Sequence, residues 1–338
     1  MHINNDYLII AEVGQAHDGS LGILHSYIDA LAETGVNAIK FQTHIASAES
    51  SHFEEFRIPF SYEDKSRFDY WKRMEFSHQQ WCEIKKHCEE KGVTFMSSPF
   101  SIEALELLES IGTEVYKVGS GEMTNYLLLD RLAQLNKPVI LSSGLSSLNE
   151  VREACARFDQ SQSSISILQC TTQYPTPTDQ VGINVITEFK REFPNYAIGL
   201  SDHSGEIYPS IAAATLGARV FEFHAVFDKR MFGPDSTSSL TIDQIKELVR
   251  ALGLVKNMLE HPVDKSLNTP LARSKTLFGK SLALRQDLPK GSILRIEHLE
   301  TKKPSGLGVD ASEYQSVLGK RLKKSLTRNS FLKIDDIE

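Results

Sequence analysis

Eight short apolar runs in the first two-thirds of the chain each end in polar or charged residues. They are residues 7–11 before Glu12, 38–39 before Lys40 and Gln42, 93–96 before Ser97 and Ser98, and 115–116 before Lys117. The others are 139–141 before Ser142, 165–168 before Gln169 and Cys170, 197–200 before Asp202 and His203, and 218–221 before Glu222 and His224. Amphipathic stretches of helical period separate most of them, at 23–34, 79–91, 102–111, 126–135, 148–158, 183–193 and 207–216, and another follows at 242–259. Strands alternating with helices specify a parallel sheet, because a parallel return needs a crossover long enough to hold a helix. Eight such units are expected to close into a (β/α)8 TIM barrel, an α/β fold whose active site lies at the carboxyl ends of the strands. The polar endings fall where such a barrel keeps its chemistry.

The 338 residues suffice for a barrel domain over 1–260 and a small second domain. A polar stretch at 261–278, with Pro262 and Pro270, reads as a linker. From 279 to 338 the Leu-Pro-Lys-Gly and Pro-Ser-Gly-Leu-Gly turns break the chain into pieces too short for another βα unit, so this module is expected to be mostly β. It is also basic, with Lys302, Lys303, Lys320, Arg321, Lys323, Lys324 and Arg328. Between Ala46 and Lys72 lies a long polar insertion whose aromatics (Phe53, Phe56, Phe60, Tyr62, Phe68, Tyr70, Trp71) favour a flap over the barrel mouth. A net charge of −7 without a basic stripe argues against a nucleic-acid partner. Cys82, Cys88, Cys155 and Cys170 show no metal-ligand spacing and read as reduced, mostly buried thiols. No apolar run approaches the ~20 residues of a membrane span, and the start of the chain does not read as a signal peptide. A cytoplasmic protein without a membrane partner is expected.

His203 and His224 end neighbouring strands of such a barrel, and two imidazoles at one mouth can share a divalent metal. Asp202 and Glu222 are expected to point away from their neighbours along the strand and to act in support. Lys40 and Lys117 are costly to bury unless they meet an anion or serve as a Schiff-base amine. The turn Gly119-Ser120-Gly121 after Lys117 lets backbone N–H groups approach an oxyanion, and with Ser98 and Ser142 it reads as a phosphate or carboxylate cradle. Glu12, Gln42, Tyr174 and Asp235 are placed to hold the hydroxyls of a polyol. Plainer readings stay open for each: hydrogen-bonded histidines, a tight turn, solvated loop residues.

Taken together, EVGQAHDGS (12–20), KFQTH (40–44), SSPF (97–100), YKVGSGE (116–122), LSSG (141–144), CTTQYPTP (170–177), GLSDHSG (199–205), EFH (222–224) and GPD (233–235) resemble the sialic acid synthase family, which includes legionaminic and pseudaminic acid synthases. The last domain is similar to the antifreeze-like (SAF) domain of that family, so the resemblance spans nearly the whole chain. It implies an enzyme that condenses phosphoenolpyruvate with a hexosamine-derived aldose to a nine-carbon 2-keto acid and phosphate. It further implies a divalent metal, usually Mn2+ with Mg2+ or Co2+ as substitutes, and a domain-swapped homodimer. By the same resemblance His203 and His224 would hold the metal, and Lys40, Lys117, Ser120, Ser142 and Thr172 the phosphoenolpyruvate. Glu12, Gln42, Tyr174 and Asp235 would position the sugar, and Glu122 would sit close to the reacting carbons. Three positions depart from the family pattern: Ala16 stands for an asparagine, Phe223 for a basic residue, and Lys303 for a capping-domain arginine that contacts the sugar's acyl group. Lysine cannot repeat a bidentate contact. The acceptor stays open among N-acetylmannosamine, a diacetamido-trideoxyhexose and an unacetylated sugar. The rival readings are a Schiff-base lysine aldolase and a non-catalytic sugar-binding barrel.

Overall fold

A computed structural model describes residues 6–266 and 271–338. It divides into two compact units, one ending at His261 and one running from Pro262 to Glu338. In the first, eight strands lie side by side in chain order: β1 (Leu8–Glu12), β2 (Ala38–Thr43), β3 (Thr94–Pro99), β4 (Tyr116–Val118), β5 (Val139–Ser142), β6 (Ile165–Cys170), β7 (Ala197–Asp202) and β8 (Val220–Val226). All neighbours are parallel, and β1 pairs with β8 from Leu8↔Val220 to Glu12↔His224, which closes the ring. The expected TIM barrel is present. A two-residue strand β9 (Leu240–Thr241) extends the pairing of β8 beyond the ring.

Strand side chains alternate between faces, and this period divides the barrel into layers. Leu8, Ile10, Ala38, Met96, Val115, Ile140, Leu168 and Val220 form an apolar plug inside the ring. Two residues further along the same faces come Glu12, Lys40, Ser98, Lys117, Ser142, Cys170 and Glu222. The intervening positions, among them Ile9, Ile39, Phe41, Leu141, Ile167 and Phe221, belong to a second core between the ring and its helices.

That outer layer contains α1 (Leu21–Ala32), α4 (His78–Glu90), α5 (Ile102–Ser110), α6 (Tyr126–Gln134), α7 (Leu148–Ala156), α8 (Asn184–Glu192), α9 (Tyr208–Thr215) and α10 (Ile242–Glu260). Ser77, Ser101, Ser147 and Thr241 cap α4, α5, α7 and α10 by accepting a backbone N–H of the first turn. Such a cap contributes about 1 kcal/mol. The insertion after β2 holds α2 (Ala46–Glu49) and α3 (Arg67–Met74), packed on an aromatic cluster of Tyr70, Trp71, Phe56, Phe60 and Phe68.

The second unit has its own core around Leu282, Leu284, Leu294, Val317, Leu322 and Leu332. Its strands β10 (Ser281–Leu284) and β11 (Leu299–Lys302) are antiparallel, and further isolated bridges make it the mostly β module expected. The stretch read as a linker is not featureless. It carries a helix, α11 (Ala272–Phe278), while Pro270 lies outside the described residues.

Candidate active site

The carboxyl ends of the strands surround a cavity of about 370 Å³. Glu12, Lys40, Gln42, Ser98, Lys117, Ser120, Glu122, Ser142, Thr172, Tyr174, His203, His224 and Asp235, all singled out in the sequence, line it together. Lys303 belongs to the second unit, where its Nζ lies 5.1 Å from the centre of the Phe278 ring.

The floor is a network of buried charges. Lys40 Nζ is 2.8 Å from Glu12 Oε1 and 3.5 Å from Glu222 Oε1. Lys117 Nζ is 3.5 Å from the same Glu222 oxygen and donates to Ser142 Oγ at 2.7 Å. Burial works against charge on both lysines. For Lys40 the adjacent glutamates overcome it and hold the ammonium above its ordinary value. For Lys117 burial, with Lys40 nearby, outweighs Glu222 and lowers it. Glu12, although buried, lies well below the usual carboxylate range because Lys40 and His224 face it. Burial raises Glu122.

Glu222 overturns the expectation that it points away from the site. It precedes His224 by two residues, so the two share a strand face, and Glu222 reaches inward between both lysines. Its Oε1 accepts from Ser201 at 3.0 Å, and its Oε2 is buried without a hydrogen-bond partner. Asp202 stays outside the cavity lining and accepts from Ser204 at 2.6 Å.

Beside the lysines, Ser120 Oγ accepts from Gly144 N at 3.1 Å. Thr172 Oγ1 is buried and unpartnered, an open donor and acceptor on the cavity wall. Gly144 is required here by close approach: a Cβ on it would meet Thr172 Oγ1 at 2.3 Å and Ser120 Oγ at 2.6 Å.

Across the mouth the rings of His203 and His224 lie 5.3 Å apart. The Thr171 carbonyl takes His203 Nδ1 at 3.0 Å, which leaves Nε2 facing the Tyr174 hydroxyl at 3.2 Å. A carbonyl on one ring nitrogen that frees the other is the usual support of a metal-binding imidazole. His224 Nε2 lies 3.3 Å from Glu12 Oε2. Burial lowers His224. Burial also works downward on His203, but a Cys170 thiolate beside it would carry that imidazole up to about 9. Among the described residues no three His, Cys, Asp or Glu side chains form a group that could hold a cation, so positions beyond the pair would fall to water and ligand oxygens.

The insertion supplies Glu49, Glu54, Arg57 and Arg67, which the sequence did not single out, beside Trp71, which it did. Arg57 donates to Asp235 Oδ1 at 2.7 Å and stacks over Tyr174 at 4.1 Å. Glu49, Glu54, Arg67 and Trp71 line the outer wall, as the expected flap over the mouth implies. Gln15 and His44 face the cavity from the ends of the first two strand units. The signal that could have found His44 is KFQTH, where alternation continues past Gln42; Gln15 stands three residues after Glu12, off that period and past the end of β1.

A barrel with paired buried lysines, a small-residue cradle and two histidines at one mouth has the parts to hold an anion beside a second, polar ligand. Residues 27–264 match the NeuB family and residues 279–338 the SAF domain, and the chain belongs to the NeuB family. It is an enzyme of the sialic acid synthase type. It is 31% identical to the N,N'-diacetyllegionaminic acid synthase of Campylobacter jejuni over 96% of this chain and 98% of that one. It is 32% identical to the human N-acetylneuraminate-9-phosphate synthase, over 93% of this chain and 88% of that one. Among solved structures, the N-acetylneuraminic acid synthetase of Leptospira borgpetersenii superposes with a TM-score of 0.71 at 28% identity, covering 81% of this chain and 92% of the other.

Proposed function

We propose that the chain condenses phosphoenolpyruvate with the open-chain form of a hexosamine-derived, N-acetylmannosamine-like aldose, giving a nine-carbon 2-keto acid and phosphate. The observation that carries this is the pair of lysines at the floor of one cavity with the serine and threonine cradle beside them and both histidines opposite. Lys40 and Lys117 bind the carboxylate and phosphate; Ser120, Ser142 and Thr172 donate to the phosphoryl oxygens, with Ser98 beside Lys40. Glu12, Gln42, Tyr174 and Asp235 hold the sugar hydroxyls and align the aldehyde.

C3 of the enol attacks the aldehyde carbon, so a C–C bond forms and the aldehyde oxygen takes a proton. The cation left at C2 lies near the carboxylates of Glu222 and Glu122, which stabilise it electrostatically. Water adds at C2 and loses a proton, and the C2–O bond to phosphate breaks to leave the ketone. His203 and His224 fit a divalent cation, manganese first with magnesium or cobalt as substitutes. When bound, such a cation supplies Lewis-acid polarisation of the aldehyde oxygen.

The cytoplasm suits the free thiols of all four cysteines, and none of the described helices is long and apolar enough to cross a membrane. The homodimer, with Lys303 of one chain serving the other's mouth, is part of the same proposal.

The lowered Lys117 ammonium favours one rival, a Schiff-base aldolase. A single assay separates them: phosphate release from phosphoenolpyruvate against a panel of aldoses, with and without chelator. Release that needs both a hexosamine-derived aldose and a cation supports the synthase. Cation-independent cleavage, with borohydride trapping of pyruvate on Lys117, overturns it.

A further inference from the structure

Gln42 sits at the centre of a chain of hydrogen bonds whose direction one group sets. Its Nε2 donates to Glu12 Oε1 at 2.7 Å. Glu12 is paired with Lys40 at 2.8 Å, so it accepts here. The amide sense is thereby fixed, and Gln42 Oε1 must face the other way. There it meets two nitrogens, His44 Nε2 at 3.1 Å and Gln15 Nε2 at 3.2 Å. Each arm then runs on into the insertion. His44 Nδ1 lies 2.7 Å from Glu49 Oε1 on α2, and the Tyr70 hydroxyl on α3 donates to Gln15 Oε1 at 2.8 Å. His44 is buried, held flat between Trp71 at 3.9 Å and Phe100 at 4.6 Å. The other Glu49 oxygen is buried without a partner.

We propose that His44 is a positioning residue of the reaction: its Nε2–H holds the Gln42 amide so that Glu12 keeps its third donor beside Lys40 and His224, and Glu49 holds His44. The flap thus sets the orientation of the carboxylate at the barrel floor, through His44 and, in a second arm, through Tyr70 and Gln15. The proposal rests on the synthase reading for its kinetic readout.

The test uses two substitutions of nearly equal size in the full chain. His44→Gln places an amide nitrogen where Nε2 was and keeps a donor to Gln42. His44→Asn reproduces only the Nδ1 side, toward Glu49. Both lose the stacked ring alike, so a merely structural role would affect both equally. Partners of this kind typically carry a tenfold or larger effect, so His44→Asn should lose roughly tenfold or more in kcat, with KM for phosphoenolpyruvate within about twofold. His44→Gln should stay within about threefold of the parent chain. Equal kcat in the two variants, or a loss confined to KM, overturns the proposal. Should neither fold, Tyr70→Phe removes the donor of the other arm and should lower kcat in the same manner; an unchanged kcat there overturns it. Hydrogen exchange of the Gln42 side-chain amide by NMR needs no turnover. Protection in the parent and His44→Gln chains, lost in His44→Asn, supports the relay even if no aldose in the panel reacts. Equal exchange in all three overturns it.

Discussion

At the scale of single residues, the cradle depends on an absence. Gly144 leaves room for the Ser120 and Thr172 hydroxyls, and an alanine there would displace both. Gly144→Ala should raise KM for phosphoenolpyruvate by roughly tenfold, about 1.4 kcal/mol, with a smaller change for the sugar. Steady-state titration of each substrate checks this. His17 gives a pH signature. Burial, with His44 and Arg73 nearby, lowers it to about 3 from 6.5. Between those values the unfolded chain takes up a proton that the folded chain refuses, so stability is present above pH 6.5 and falls with acidification until about pH 3. The loss at pH 4.5 is roughly 3 kcal/mol. His17→Asn keeps an acceptor for Gly19 N, which His17 Nδ1 binds at 3.0 Å. Urea midpoints at pH 7 and 4.5 should diverge more in the parent than in this variant. Residue identity at the strand ends was legible because barrel mouths gather polar side chains. Glu222 departs from the expectation it shared with Asp202 because Asp202 directly precedes His203, whereas Glu222 stands two residues before His224 and shares its face. Arg57 was not legible at all: it reaches Asp235 across 178 residues of chain, which no local pattern records.

At the scale of elements, period and caps carried most of the information. The eight barrel helices lie within two or three residues of their amphipathic stretches, and Ser77, Ser101, Ser147 and Thr241 stand where their first turns begin. The helices that escaped have no such signal. α2 has four residues, α3 reads RFDYWKRM with aromatics and charges mixed, and α11 exposes most of its length. Tertiary contacts order the insertion. Arg73 joins it to the loop after β1 by pairing with Asp64 at 2.7 Å and Asp18 at 2.5 Å. Arg73→Met should therefore loosen the flap without opening the ring. Limited proteolysis or amide exchange within residues 46–72 should accelerate at least about tenfold, with the melting temperature falling by no more than about 4 °C.

At the scale of the molecule, the count of eight strands and the change of texture after His261 foretold a ring and a separate module. What the sequence could not convey is how unevenly the ring is fastened. β2 and β3 share six registered pairs, from Ala38↔Thr94 to Thr43↔Pro99, and β1 and β8 share five. β3 and β4 share one, Ser97↔Tyr116. A hoop fails at its shortest stave. Slow amide exchange should therefore be lost first along β3 and β4, well before β1 and β2. That joint runs between Ser98 and Lys117, so a momentary parting of the staves would widen the gap between the two lysine-bearing walls while the plug beneath stays shut. An enzyme that must admit two substrates and release two products through one mouth would then have some give built into its rim.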